Sequence, residues 1–408
     1  MKKILLITGI LVIIAGVAFF LFGRSSGKSS ETPGFSLRDF LPFGQSGDNT
    51  PNENVFTPEE NPITTEDNGE VARLRKISSE PVAGYSIFNN GSTTVVRFVE
   101  KGTGNVYEAN SSTTKIDRLT NTTIPKIIRA FWLPNGSGFL AQTISNENEL
   151  IETSFVRLIK NSTTSSEGLT PYNTEISKLP TGIKELSISP DGKKVFYYTT
   201  GSESMWFISN IDGTGETLVY KSPLLEWVPD WVGENQISMQ TKSSYLALGY
   251  SYVFDIKNKN LKKVGPVSVG LSSKSSSDIS VFLVSVGGTF PQLAFFDTKT
   301  NLYNRLDANT LSEKCAWLNT ENMFAYCAIP NNFPTGNYPD DWYKGKVSTS
   351  DFLEKVDLKQ NLFYRIGDLS DLAEEDIDVV DIKSSKDDSH LVFRNKTDGF
   401  LWILRVRD

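Results

Sequence analysis

The stretch Leu186-Ser187-Ile188-Ser189-Pro190-Asp191-Gly192-Lys193-Lys194-Val195-Phe196-Tyr197 decides the fold of this chain. Apolar and polar residues alternate on both sides of a Pro-Asp-Gly turn, which is typical of two antiparallel β-strands joined as a hairpin. A second hairpin follows, with strands at Met205-Trp206-Phe207-Ile208-Ser209-Asn210 and Thr217-Leu218-Val219-Tyr220 on either side of Ile211-Asp212-Gly213. Four consecutive antiparallel strands of this kind correspond to one blade of a β-propeller.

The same pattern recurs along residues 71–408. The turn of the first hairpin is found at seven places: Asn90-Gly91, Asn135-Gly136, Asp191-Gly192, Gly233-Glu234, Ser277-Asp278, Glu321-Asn322 and Asp387-Asp388. The repeats are about 48 residues long on average, which lies within the range of known propeller blades. The sequence therefore predicts an all-β, seven-bladed β-propeller, with six or eight blades as the alternatives.

The last repeat is shorter than the others. Leu391-Val392-Phe393-Arg394 and residues 400–406 supply its second and third strands, and little sequence remains for a fourth. The segment Ala72-Arg73-Leu74-Arg75-Lys76-Ile77 precedes the first repeat and has the pattern of a fourth strand. We expect this N-terminal strand to complete the last blade, because the closure pairs an edge that would otherwise be exposed.

The repeat resembles that of a known group of proteins. Residues Ser189-Pro190-Asp191-Gly192-Lys193-Lys194, followed by Ile208-Ser209-Asn210-Ile211-Asp212-Gly213, are similar to the repeat of TolB-like, WD40-like bacterial β-propellers. The resemblance implies a propeller that binds proteins, peptides or glycans, or that gates a peptidase. It does not choose among these functions, because a fold alone does not determine function.

The N-terminus predicts a membrane anchor. Residues 4–23 form an uncharged, mostly apolar run between Lys3 and Arg24, long enough to cross a bilayer. A cleaved signal peptide is the alternative, but the run ends in bulky residues where a cleavage site needs small ones. We therefore expect a transmembrane signal-anchor over residues 1–23, a flexible linker over 24–70 and a propeller over 71–408. The expected location is the cytoplasmic membrane, crossed once, with the N-terminus inside and the propeller outside.

Composition excludes several kinds of function. The chain has 408 residues and a formal net charge of −7, so nothing favours nucleic acid as a partner. The chain has a single histidine, His390, which argues against histidine-based catalysis and against multi-histidine metal sites. Two cysteines cannot form a zinc site alone. We predict no cofactor, no metal and no catalytic residue.

The two cysteines flank the predicted turn of blade six. Cys315 and Cys327 are equidistant from that turn, so they are expected to face each other on neighbouring strands. An extracytoplasmic location would permit a disulfide between them. Two packed thiols are the alternative.

Blade six also contains an insertion of about 21 residues, and loops of this length in a compact fold are often functional. It contains the candidate binding residues Tyr338, Asp340, Asp341, Trp342 and Tyr343. Aromatic side chains beside carboxylates suit a peptide or a sugar. The alternative is a loop that packs on itself and caps the channel.

These features predict a non-enzymatic, membrane-tethered scaffold that binds a protein or peptide outside the membrane. A glycan-binding or cell-wall-binding module is the first alternative, and an exposed aromatic platform would favour it. A hydrolase with Asp or Glu chemistry in the channel is the second alternative, and it would require two carboxylates about 5–10 Å apart at the channel mouth.

Overall fold

The computed structural model describes residues 71–145, 150–161 and 170–407. These residues form seven four-stranded antiparallel sheets, which confirms the all-β, seven-bladed propeller. The predicted membrane span and linker, residues 1–23 and 24–70, lie outside the described residues. Within the described part of the chain, no helix has the length and apolar character required to cross a membrane.

The first three blades follow one another along the chain after a short N-terminal strand, β1 (Leu74–Lys76). Their strands are β2 (Val82–Asn90), β3 (Thr93–Glu100), β4 (Val106–Asn110) and β5 (Ile116–Arg118) in blade 1; β6 (Ile127–Trp132), β7 (Gly138–Ile144), β8 (Ile151–Lys160) and β9 (Tyr172–Lys178) in blade 2; and β10 (Ile183–Ile188), β11 (Lys194–Thr200), β12 (Ser204–Asn210) and β13 (Thr217–Ser222) in blade 3.

Blades 4 to 6 have the same order of strands, and the helical segments occur in and after this part. The strands are β14 (Trp227–Gly233), β15 (Gln236–Thr241), β16 (Leu248–Asp255) and β17 (Asn260–Val269) in blade 4; β18 (Ser272–Ser275), β19 (Val281–Val286), β20 (Gln292–Asp297) and β21 (Leu302–Arg305) in blade 5; and β22 (Cys315–Trp317), β23 (Phe324–Pro330), β24 (Asp351–Asp357) and β25 (Leu362–Asp368) in blade 6. A 3-10 helix (Ser312–Lys314) precedes β22, and two short helices are α1 (Asp340–Tyr343) and α2 (Leu369–Ala373).

Blade 7 is built from both ends of the folded chain. Its first three strands are β26 (Val379–Ser384), β27 (His390–Asn395) and β28 (Leu401–Arg405), and β1 supplies the fourth. Leu74 lies opposite Leu404 and Lys76 opposite Trp402 in this antiparallel pair. The structure thus confirms the predicted closure by the N-terminal strand.

The turn that repeats in the sequence has one geometry in three blades. In blade 3 the Ser189 hydroxyl donates to Asp191 Oδ1 at 2.7 Å, and the next residue, Gly192, has φ +71°. Residues 276–279 and 385–388 repeat the arrangement, with serine-to-aspartate bonds of 2.7 and 2.6 Å and positive φ at the fourth position. Asp side chains that bond their own backbone favour such turns, which explains why Asp recurs there.

The core lies between neighbouring blades. Between blades 3 and 4, Trp206 contacts Trp227 and Phe254 with ring centroids 5.0 and 5.4 Å apart. Trp231 belongs to the same buried cluster, as the propeller pattern predicts for a large aromatic near a first strand. Edge-to-face contacts of this kind add to the stability gained from apolar burial.

The propeller has two faces, which we name by their loops. The capped face carries the loops between second and third strands, including residues 242–247, 287–291 and the insertion 331–350, together with the connections between blades. The open face carries the turns between first and second strands, including residues 133–137 and 385–389. The first strands line a central channel that runs from one face to the other.

Candidate functional site

The insertion of blade 6 is a packed cap over much of its length. Tyr338 and Trp342 are only 1% and 2% exposed, and they form a small buried cluster with Leu311. Three partly buried residues pack against this cluster: Phe333, Val347 and Val380. Two of the predicted aromatic anchors therefore point into the protein rather than toward a partner.

The indole of Trp342 is held by charged residues. Its Nε1–H donates to both carboxylate oxygens of Asp378, at 2.9 Å each. The ammonium groups of Lys314 and Lys396 lie 5.2 and 5.1 Å from the ring centroid, within the range of a cation–π interaction. Asp378 precedes blade 7, so Trp342 joins the insertion of blade 6 to the next blade.

A buried ionic network lies beside this tryptophan. Lys314 Nζ contacts Asp351 Oδ2 and Asp378 Oδ1 at 2.6 Å each, and it also donates to Thr349 Oγ1 at 2.9 Å. Burial raises the pKa of Asp351 although the Lys314 ammonium opposes it. Both carboxylates are fully buried, so no substrate reaches them in this conformation. The network holds the cap against blades 6 and 7.

The two aspartates of the predicted set also hold the insertion in place. Asp340 accepts hydrogen bonds from the Ser244 hydroxyl, at 3.2 Å, and from the backbone N–H of Tyr245 in blade 4. Asp341 accepts from the Asn337 backbone N–H at 2.9 Å. The backbone of Tyr338 pairs with Gly288 of blade 5. The insertion consequently reaches across the loops of blades 4 and 5.

Tyr343 differs from the rest of the predicted set. Its side chain is 41% exposed, and its hydroxyl donates to a carboxylate oxygen of Glu313. Burial of the hydroxyl, followed by the negative charge of Glu313, raises the pKa of Tyr343, so the phenol stays neutral at physiological pH. Tyr343 is the aromatic residue of the set that can still meet a partner.

The sequence did not predict a group of exposed apolar residues on the capped face. We call it the apolar surface, and it consists of Leu224, Leu225, Leu246, Leu248, Val267, Val269, Phe290 and Tyr343. Its most exposed members are Leu246 at 87%, Phe290 at 55% and Leu248 at 54%. Two short apolar segments, Leu224-Leu225 and Leu246-Ala247-Leu248, could have indicated this surface in the sequence, because loop residues are usually polar.

The loops that carry this surface contact one another. The Gly287 N–H of blade 5 donates to the Val269 carbonyl of blade 4 at 3.0 Å, and the Gly270 N–H donates to the Ser244 carbonyl at 2.8 Å. Leu248 lies opposite Val269 in the last two strands of blade 4. The ring of Phe290 in blade 5 lies 5.9 Å from that of Phe333 in the insertion. The surface therefore continues from blade 4 across blade 5 to the cap.

The channel contains charged groups from several blades. The Asp230 side chain lies in the channel, where water reaches it although protein surrounds it on most sides. The surrounding protein raises the pKa of Asp230, and the positive charges of Lys274 and Lys383 oppose this rise. Asp381 forms an ion pair with Arg394, with an N–O distance of 3.5 Å. Lys274 interacts with both Asp230 and Asp381, so cations lie beside the two carboxylates of the channel.

The glycan alternative expects exposed tryptophan and tyrosine side chains beside carboxylates. Two tyrosines, Tyr343 and Tyr364, are 41% and 50% exposed. Six tryptophans are at most 9% exposed: Trp132, Trp206, Trp227, Trp231, Trp342 and Trp402. The remaining one, Trp317, is partly buried, and its Nε1–H donates to the Lys274 carbonyl at 3.3 Å. No tryptophan in the described part of the chain therefore forms an open stacking surface.

The cysteines lie opposite each other on β22 and β23, as their spacing predicts. Cys315 and Cys327 are joined by a disulfide, and both are fully buried. The bond ties the two inner strands of blade 6 together. Cys315 directly follows Lys314 in the sequence, so the disulfide lies next to the buried ionic network.

No protein-family model and no curated protein matches this chain. Among solved structures, TolB from Acinetobacter baumannii aligns with 13% identity and a TM-score of 0.42, over 71% of this chain and 64% of TolB. This chain thus spans less than two thirds of TolB. Oligogalacturonate lyase from Vibrio parahaemolyticus aligns with 12% identity and a TM-score of 0.53, over 82% of this chain and 94% of the lyase.

A third solved structure is the β-propeller domain of Cps50 (Swd1) from Myceliophteria thermophila. It aligns with 10% identity and a TM-score of 0.51, over 82% of this chain and 100% of that domain. Likeness at such low identity shows the fold alone, and the named proteins have different functions. The chain is a seven-bladed β-propeller, with the fold expected from its resemblance to TolB-like and WD40-like repeats.

Proposed function

We propose that this protein is a non-enzymatic scaffold that binds a protein or peptide through the apolar surface of its capped face. Residues 4–23 hold it in the cytoplasmic membrane, residues 24–70 act as a flexible linker, and the propeller lies outside. One observation carries the binding proposal. Leu246, Leu248 and Phe290 are each more than half exposed on the same face.

Large apolar side chains that are exposed on neighbouring loops are typical of a binding surface. Contiguous apolar patches on soluble proteins mark binding sites, because leaving them in water is unfavourable. The adjoining Tyr343 adds an aromatic side chain, a residue type that is frequent at the energetic centre of interfaces. A partner with aliphatic or aromatic side chains would bury this surface.

The disulfide supports a location outside the cytoplasm. Disulfides persist in oxidising compartments and are rare where thiols are kept reduced. The Cys315–Cys327 bond is buried inside blade 6, where it belongs to the fold rather than to a redox site. This agrees with the orientation expected from the N-terminal anchor.

The placement of the acids supports a scaffold rather than an enzyme. Asp351 and Asp378, which share Lys314, are sealed beneath Trp342. In the channel, Asp230 faces Lys274 and Lys383, and Asp381 pairs with Arg394. Neither arrangement offers an accessible pair of carboxylates for hydrolysis.

The test compares two triple variants of the full chain in its native membrane. The first is Leu246→Ser/Leu248→Ser/Phe290→Ser on the apolar surface. The second is Ile176→Ser/Leu218→Ser/Leu302→Ser on outer strands, whose residues are 52%, 40% and 49% exposed. After crosslinking, the partner that co-purifies with the wild type is identified and its affinity for each variant is measured.

We expect the first triple to weaken partner binding at least about tenfold, because a few apolar anchors dominate most interfaces. The second triple should bind as the wild type does. Both variants should keep the wild-type melting temperature, since the substituted residues are exposed. Equal binding by both triples would exclude the apolar surface as the binding site.

A further inference from the structure

A cavity of about 1010 Å³ opens on the face opposite the cap. It lies among the first-hairpin turns of blades 1, 2, 6 and 7, at the inner rim of the propeller. Its size is at the upper end of the range for pockets that bind small molecules. Neither the apolar surface nor the cap contributes to it.

One wall of the cavity is apolar and rigid. Ile87 and Phe88 of blade 1 form it together with Pro134 of blade 2. The guanidinium of Arg97 lies 5.3 Å from the Phe88 ring centroid and donates to the Gly136 carbonyl at 2.9 Å. A Cβ at Gly136 would lie 2.4 Å from the Phe88 ring, so only glycine allows this ring position. The wall is thus fixed before any ligand binds.

The polar lining of the cavity combines donors, at Lys386 and Asn135, with acceptors, at Asp387 and at Asn89 Oδ1, which is buried without a hydrogen-bond partner. Within the described ranges, the exposed Lys386 ammonium has neither an ion pair nor a hydrogen bond. Asn135 Oδ1 accepts from the backbone N–H and hydroxyl of Ser137 at 3.1 and 2.7 Å, which leaves its NH₂ group as a donor.

Asp387 is the acidic residue of the cavity lining, and its hydrogen bonds lie within its own turn. Burial raises the pKa of Asp387, but the hydroxyls of Ser385 and Ser389 outweigh this and lower the pKa to about 2. The Ser385 hydroxyl lies 2.6 Å from Asp387 Oδ1, and the Ser389 hydroxyl lies 2.9 Å from each carboxylate oxygen. Asp387 is therefore ionised at neutral pH and bonded within its own turn, and because it forms no ion pair with Lys386 in the described structure, this ammonium remains available to an anion.

We propose that this cavity binds a carboxylate attached to an aliphatic group. The carboxylate pairs with Lys386 and accepts a hydrogen bond from Asn135, and the aliphatic group contacts Ile87, Phe88 and Pro134. The C-terminal residue of a peptide and a free fatty acid share this chemistry. The site is separate from the apolar surface, so its failure would leave the proposed function of the capped face intact.

The test uses the full chain in lipid nanodiscs, with empty nanodiscs subtracted. Isothermal titration measures N-acetyl-leucine, N-acetyl-leucine amide and octanoate. The variant Lys386→Gln removes the cation, and Lys359→Gln is the matched control, an exposed lysine in the turn between β24 and β25.

We expect saturable binding of N-acetyl-leucine, with the amide at least about threefold weaker because a charge-assisted bond is lost. The Lys386→Gln variant should bind N-acetyl-leucine only as weakly as the wild type binds N-acetyl-leucine amide. The Lys359→Gln variant should bind all three compounds with wild-type affinity. Octanoate binding that depends on Lys386, without N-acetyl-leucine binding, would support the site and identify fatty acids as its ligands. Absence of saturable binding, or equal losses in both lysine variants, would overturn the proposal.

Discussion

Trp342 and Asp378 are joined by two hydrogen bonds of 2.9 Å from one indole N–H to both carboxylate oxygens. The tryptophan belongs to the insertion of blade 6, and the aspartate precedes the first strand of blade 7. Both are buried, so the contact is shielded from water and from salt. This pair attaches the cap to the propeller.

Truncation of this tryptophan should destabilise the protein. We expect Trp342→Ala to lower the free energy of unfolding by about 3–5 kcal/mol, because it opens a cavity and leaves Asp378 with fewer donors. Leu246→Ala, at an exposed position, should change it by less than about 0.5 kcal/mol. Urea denaturation measures both. A loss below about 1 kcal/mol for Trp342→Ala would contradict the packed cap.

Removal of β1 should expose the edge of blade 7. Leu74 is 6% exposed and Ile77 is fully buried, so the strand contributes to the core as well as to the sheet. A variant that begins at residue 82 should aggregate, while one that begins at residue 68 should be monomeric in gel filtration. Equal thermal stability of the two variants would refute the closure.

The disulfide should be present in cells and should stabilise blade 6. We expect neither cysteine to react with an alkylating agent in intact cells until a reductant is added. The double variant Cys315→Ala/Cys327→Ala should have a free energy of unfolding about 2–4 kcal/mol lower than the wild type, as for a disulfide that closes a short loop. Mass spectrometry that finds both thiols alkylated without reductant would contradict the bond and weaken the case for an extracytoplasmic propeller.

Acid should weaken the contact between blades 6 and 7. Asp388 accepts hydrogen bonds from the backbone N–H groups of Asn319 and Thr320, at 2.9 and 2.8 Å. Burial raises the pKa of Asp388, but these donors outweigh it and lower the pKa. A depressed pKa stabilises the fold above the unfolded-state pKa of about 4, and this contribution disappears as pH falls through the folded-state value.

The variant Asp388→Asn tests this relationship. It should lower the free energy of unfolding by about 1–3 kcal/mol at pH 7, because the Asn side chain cannot accept hydrogen bonds from all of the donors that surround Asp388. The difference from the wild type should shrink as the pH falls below about 4. Denaturation at pH 7 and at pH 3 gives both values, and a difference that does not depend on pH would show that the carboxylate charge is not involved.

The sequence was sufficient to predict the fold because the repeat is local. Each Asp-Gly or equivalent turn lies within a few residues of the strands that it joins, so alternation and turn chemistry indicate every first hairpin. The closure could also be predicted, since a blade lacking a strand and a strand lacking a blade occurred at opposite ends of the repeats.

The site could be predicted only in part. The insertion was recognisable by its length, but the orientation of its aromatic residues depends on distant residues. Trp342 is buried because Asp378 and Lys314 offer it partners, and neither is close to it in sequence. The apolar surface was missed for the same reason, because Leu246 and Phe290 lie on loops of different blades that come together only when blades 4 and 5 pack.

The central claim is that the apolar surface binds a protein or peptide. The most direct measurement is photo-crosslinking in intact cells, with a photoreactive amino acid at Leu246 of the full chain and, as a control, at Ile176 on an outer strand of blade 2. We predict one discrete crosslinked protein adduct from position 246, reduced by the Leu248→Ser/Phe290→Ser background, and none from position 176. The same adducts from both positions, or none from position 246, would contradict the claim.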